Sequence, residues 1–199
     1  MNAPTPTVRD AIRLRRSATR LTGPAPTDAD VVSLLAAAAN GPDHGLLRPW
    51  RFILVRGDRR ADLGRAHAGG LPPGAARDRE VGKPLRAPLL ISIVFAPRVN
   101  PKVPEWEQLA ATSAVVHNLG LLLHSAGWGS IWRTGPASRC PRVAAALGLR
   151  PGERSLGWLY VGTVERVPPP RSGPDLRDRV STLSAPGAAT PLAPAAVLS

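Results

Sequence analysis

The run Leu89-Leu90-Ile91-Ser92-Ile93-Val94-Phe95, opened by Pro88, is nearly continuously apolar and is the length of one strand. A strand with no wet side must be covered on both faces, so it predicts a central strand with packed layers above and below. Two further runs read as strands. Arg51 to Arg56 carries β-branched residues and reads as a buried strand, and Ser155 to Val164, SLGWLYVGTV, is the last clear one. At 199 residues the chain has length for one domain with a substantial core.

Helices fill much of the remainder. Thr7 with Asp10 three positions later, and Thr27 ahead of DADVVSLLAAAAN, are N-terminal capping signals. Gly57-Asp58 turns the chain into a helix near residues 58–67, and Arg142 to Leu147 forms another before Gly148. Pro104 to Ala126 is the longest helical candidate. Its apolar residues wrap far around the cylinder, as expected of a helix buried mid-domain or in a dimer interface. Residues 68–84, AGGLPPGAARDREVGKP, are rich in breakers and read as a mobile surface loop with one helical turn at most. The organisation expected is a single domain over 1–168, followed by an extended Pro/Ala-rich arm and a disordered tail over 169–199. Two helices precede the first strand, which argues against a simple doubly wound nucleotide fold.

Composition excludes several classes. No apolar run approaches the roughly 20 residues of a membrane-spanning helix, and MNAPTPTVRDAIRLRR lacks the apolar core of a signal peptide, so the expectation is a cytoplasmic protein without a membrane partner. Cys140 is the single cysteine, and no CxxC pair exists for structural zinc. His117 and His124 are seven apart, too distant for the i, i+4 metal pair, and no metal is expected. The formal charge of +12 raises the alternative of a polyanion-binding module. Lys83 and Lys102 are the only lysines, however, and the arginines are scattered among Ala, Pro and Gly without a dense basic run, so a small anionic ligand is preferred to nucleic acid.

Three segments carry chemistry. Arg15-Arg16-Ser17 sets two guanidiniums beside a hydroxyl, a donor set that complements a phosphate monoester, although a solvated helix C-terminus would read the same way. Ile131-Trp132-Arg133-Thr134-Gly135 offers similar chemistry from the far end of the chain. GPDHGLLRPW, residues 41–50, adds His44, Arg48 and Trp50 to ordinary turn residues. No GxGxxG follows a strand, and neither GxxxxGK[ST] nor GxSxG occurs.

RRSATRL followed by PAPT near the start, PDH and PW after the second helix, KVPEWEQ opening the long helix, IWRTG beyond it and GWLYVGT as the final strand together resemble the nitroreductase family over roughly residues 8–168. The similarity is greatest to its small single-domain branch. That resemblance implies an α+β fold, a mixed, mainly antiparallel sheet flanked by helices, and an intertwined homodimer with FMN at the subunit interface. It also implies that Arg15, Arg16 and Ser17 hold the FMN phosphate and ribityl chain, joined by Arg133 and Thr134, with Trp132 beside the flavin and His44 reaching it from the partner subunit. Asn40 stands where close relatives often carry an arginine that contacts FMN. The implied activity is hydride transfer from NADH or NADPH to FMN, then to a nitroaromatic, quinone or enone by a ping-pong mechanism. A flavin-consuming or dedicated biosynthetic oxidase is the alternative within that fold.

Overall fold

The computed structural model describes residues 7–191, apart from 168, 170 and 178 and the side chain at 184. The chain divides into two compact units, Met1–Pro168 and Pro169–Ser199. In the first, the elements run α1 (Val8–Leu14), β1 (Leu21–Thr22), α2 (Asp28–Ala38), β2 (Trp50–Val55), α3 (Arg59–Ala68), α4 (Ala75–Gly82), β3 (Leu89–Phe95), α5 (Glu105–Ser125), β4 (Gly129–Arg133), α6 (Pro141–Ala146) and β5 (Arg154–Val164).

Both predicted caps form. The Thr7 hydroxyl accepts from the Asp10 N–H at 3.2 Å while the Asp10 carboxylate accepts from the Thr7 N–H, and Thr27 and Asp30 repeat the arrangement. Each box satisfies two N–H groups that a helix start leaves orphaned. These bonds hold both aspartates below the ordinary carboxylate range.

Strand β3 is buried along its whole length and lies between β2 and β5, antiparallel to both. Strand β5 also pairs with β4 over Gly129–Arg133 and, at its end, with β1. Every ladder between these strands is antiparallel, and the parallel component is one bridge, Ser17 to Ser130. Alternation along β3 and β5 feeds two cores. Leu89, Ile91, Ile93, Leu159 and Val161 pack under α2 and α5, against Val31, Ala38, Val115, Val116, Leu119 and Leu123. Leu90, Trp158 and Tyr160 face the other way, onto Leu63 of α3 and Val143 of α6. Each such aliphatic side chain contributes about 1.5–3 kcal/mol through burial.

Three readings need correction. The short strand β1 stands between α1 and α2, so one helix and not two precedes the first strand. Strand β2 is half-buried at the sheet edge, because among the described residues only β3 pairs with it, and it is not the buried strand expected from its sequence. Residues 68–84 hold the two-turn helix α4, followed by a 3₁₀ turn at Lys83–Arg86. The cause is tertiary: α4 lies so close to α3 that a Cβ on Gly64 would fall 2.2 Å from the Val81 carbonyl oxygen. Burial against α3 supplies what the Gly- and Pro-rich sequence lacks.

Arg51 on β2 grips Glu153 ahead of β5 with two parallel hydrogen bonds of 2.7 and 2.6 Å, and Glu153 is 7 % exposed. The Arg51 hydrogen bonds lower the Glu153 carboxyl from 4.5 to about 2. A depressed carboxylate stabilises the fold above its unfolded value, and that stability is lost as pH falls from about 4.5 to about 2. Glu153→Gln should therefore lose about 2 kcal/mol at neutral pH, read by urea denaturation, since a bidentate charged pair is broken. The gap to the parent should close in acid. A gap independent of pH would show that the pair is not ionic.

In the second unit, β6 (Ser181–Ala185) and β7 (Ala188–Pro191) form an antiparallel hairpin turned at Gly187, whose φ is +76°. The sequence reading has an extended arm there. Of the arm and disordered tail expected over 169–199, residues 192–199 lie outside the described residues.

Candidate functional site

Strand β4 organises the site. Helix α5 ends in a turn in which the Gly127 N–H donates to the His124 carbonyl and the Trp128 N–H to the Leu123 carbonyl, with Gly127 at φ +82°. The chain therefore enters β4 directly beside the last turn of α5. At Gly129 a Cβ would sit 2.5 Å from a Val164 methyl and 2.7 Å from a Leu21 methyl, so glycine lets β4 settle between its neighbours without displacing those side chains. The segment leaving α1 then runs along the free edge of β4: Ser17 bridges Ser130, and the Ala18 N–H donates to the Ser130 carbonyl at 3.1 Å. Two motifs more than a hundred residues apart thus become neighbours.

Each end of β4 borders a cavity. The first, about 240 Å³, is lined by Arg15, Arg16, His124, Ser130, Leu14 and Val164 among others, and no carboxylate of the described residues lies in its wall. The Arg15 stem crosses α5 at Gly120, whose added Cβ would meet it at 3.9 Å. Arg16 donates from Nη1 to the Arg13 and Arg15 carbonyls at 2.6 and 2.9 Å, while its buried Nε has no partner. Burial, and then the charges of Arg15 and Arg16, push the His124 imidazole below its ordinary value.

The second cavity, about 350 Å³, lies at the far end of β4. Its wall includes Arg133 and Thr134 with Lys83, Arg86, Glu80 and Tyr160. Arg133 lies 5.8 Å above the Tyr160 ring, and burial raises that phenol. Lys83 bonds Glu80 at 2.5 Å and holds its carboxyl below the usual range. Three cations face one carboxylate here, so this cavity too is electropositive. The Trp158 indole N–H in the same wall is buried without a partner.

The structure brings Arg15, Arg16 and Ser17 together with β4, but places Arg133 in a different cavity from the other two guanidiniums. Trp132 pairs with Leu159 and Arg133 with Trp158, so their side chains leave opposite faces of the strand; the Trp132 indole donates to the Leu156 carbonyl at 2.8 Å. Asn40 and His44 line neither cavity. The Asn40 amide caps α2 by donating to the Ala36 and Ala37 carbonyls, and His44 Nδ1 lies 2.7 Å from Glu107 in the first turn of α5. The loop around His44 places Leu46 and Arg48 at φ +50° and +48°, with Asp43 accepting from the Arg48 N–H at 2.7 Å. Trp50 is partly buried against the core.

Sequence reading missed Lys83, Arg86, Glu80, Tyr160 and, as a site residue, His124. One signal was available: Lys83 is one of two lysines in a chain that otherwise uses arginine.

A model of the nitroreductase family matches residues 12–163. Among curated proteins, "Putative NAD(P)H nitroreductase YdjA" of Escherichia coli (strain K12) is 35% identical over 161 residues, covering 77% of this chain and 88% of that protein. Among solved structures, a nitroreductase-like family protein from Bacillus cereus superposes with a TM-score of 0.81 at 24% identity, covering 93% of this chain and all of the other. The FMN and NADPH-dependent nitroreductase NfnB from Sphigopyxis sp. strain HMH gives 0.70 at 20% identity, covering 88% and 98%. These two likenesses show the fold.

Proposed function

The chain belongs to the nitroreductase family, and from that premise we propose that it is an FMN-dependent oxidoreductase that draws electrons from NADH or NADPH and delivers them to a nitroaromatic, quinone or enone acceptor by a ping-pong mechanism. FMN, when bound, supplies the hydride chemistry, accepting from the nicotinamide and passing electrons on. The single observation that carries the reading is the Ser17–Ser130 bridge, which sets alongside β4 two guanidiniums that have no carboxylate partner among the described residues.

The donor chemistry supports this cofactor. The Arg15 and Arg16 cavity, with the orphaned Arg16 Nε and with Ser130 in its wall, suits a phosphate. From Gly129 to Arg133 the strand covers about 13 Å at ~3.3 Å per residue, which is the scale of an extended mononucleotide. In this reading Thr134 and Trp132 border the ring, and Lys83, Arg86 and Arg133 favour the negative charge that reduction brings. His44, which lines neither cavity, serves the site of a partner subunit. Support for a homodimer comes from apolar side chains left in water: Ile12 and Leu14 on α1, and Trp106, 69 % exposed, with Leu109 on α5.

Freshly purified protein, or protein given FMN, is expected to be yellow and to bleach anaerobically with NAD(P)H. Initial rates against both substrates should give parallel double-reciprocal lines. A colourless protein that refuses added FMN defeats the reading, and intersecting lines defeat the ping-pong mechanism.

A further inference from the structure

We propose that His124 is a third anion-binding group of the first cavity, taking up a proton as a phosphate settles beside Arg15 and Arg16, so that phosphate binding couples to pH. The proposal rests on the reading above that this phosphate belongs to FMN.

The geometry comes from three elements. Helix α5 presents His124 in its last turn, one turn beyond Gly120, where the Arg15 stem crosses. The exit of α1 brings Arg15 and Arg16, and β4 brings Ser130. The end of β5 adds only Val164 and the residue Val167 beyond it. Among the described residues the charged or titratable groups in this wall are thus the two guanidiniums and the imidazole, with no acid to balance them. Neither guanidinium has an ion-pair partner among the described residues, and the buried Arg16 Nε donates to nothing. Like charges this close disfavour a third, and this repulsion adds to burial in keeping His124 neutral.

An anion reverses the sign of that argument. A phosphate between the guanidiniums cancels their field at His124 and offers oxygens to an imidazolium N–H, both of which favour the charged ring. The His124 pKa then rises on binding, and by linkage anion affinity rises as pH falls through the window between the bound and free values. Each unit of rise is worth about tenfold in affinity. The phosphate group loses its own second charge near pH ~6, which works the opposite way. The comparison must therefore be made against a chain lacking only the imidazole.

Wild-type protein carries four histidines, which NMR can follow individually from pH 5 to 8.5. The His124 resonance, assigned through His124→Gln and His124→Asn, is expected to titrate higher with FMN or inorganic phosphate than alone, and to be unmoved by riboflavin. In fluorescence titrations the preference for FMN over riboflavin should rise about three- to tenfold more between pH 8 and 6 in wild type than in His124→Gln. A His124 titration that neither FMN nor phosphate moves, or equal pH profiles in the two proteins, overturns the proposal. Should neither flavin bind, the FMN reading fails, and the phosphate arm alone still decides for or against His124.

Discussion

Replacing both guanidiniums in Arg15→Ala/Arg16→Ala is expected to weaken FMN binding by about two to four orders of magnitude, since each lost charged hydrogen bond costs about 1.5–3 kcal/mol. Riboflavin binding should change little, because it lacks the phosphate those side chains are proposed to hold. The contrast between the two flavins, measured by calorimetry or fluorescence, separates a phosphate contact from general damage. Arg16 also donates to the Arg13 and Arg15 carbonyls, at the open end of α1. The double variant will therefore lose about 1 kcal/mol of stability as well. Arg16→Lys keeps the charge and loses the planar fork, and should fall between wild type and the double variant in FMN affinity. Equal losses for FMN and riboflavin would place the phosphate elsewhere.

Gly157→Ala should be the most damaging single methyl in the chain for this site. Gly157 has φ +94°, where a side chain is strained, and its added Cβ would lie 2.1 Å from the Arg133 carbonyl oxygen and 3.0 Å from Thr134 Cα. Strain of about 1–2 kcal/mol and a clash with backbone of about 1–3 kcal/mol combine to roughly 2–5 kcal/mol. The methyl cannot be accommodated by turning a side chain, so β4 and β5 must part where Arg133 and Thr134 enter the second cavity. A lowered melting temperature together with weakened flavin binding is the expected pair of results. Alanine at Gly173, where a Cβ would meet nothing within 4 Å, is the control. A Gly157→Ala protein as stable as that control would mean that β4 ends differently from the geometry described here.

The outline of the fold was legible because local rules sufficed. Thr7 and Thr27 announce helices by capping chemistry that involves residues only three apart, and the unbroken apolar run of β3 demands cover on both sides. The helix α4 was hidden for the opposite reason. ARDREV has no preceding cap residue beyond Gly74 and little apolar content, and it is held as a helix by its contact with Gly64 on α3, which no local pattern reports. The same limit applies to β2, whose half-buried edge position depends on which strands pair with it.

For the site, sequence identified the donor groups and structure decided their company. The hydroxyls and guanidiniums of residues 15–17 and 132–134 declare an affinity for anions by residue type alone. Whether they meet depends on the closing of β4 against the α1 exit, which Gly129 permits. Arg133 shows the difference: its type offered an anion the same chemistry as Arg15 and Arg16 and the resemblance grouped all three, yet strand alternation turns it over Tyr160 into a second cavity with Lys83. His124 entered the sequence reading only as half of a rejected metal pair, and the packing at Gly120 and the turn at Gly127 bring the α1 exit and β4 to its side. Side-chain chemistry is a property of each residue and survives in the sequence. Proximity is a property of pairs distant in the chain, fixed by packing, and so belongs to the tertiary structure.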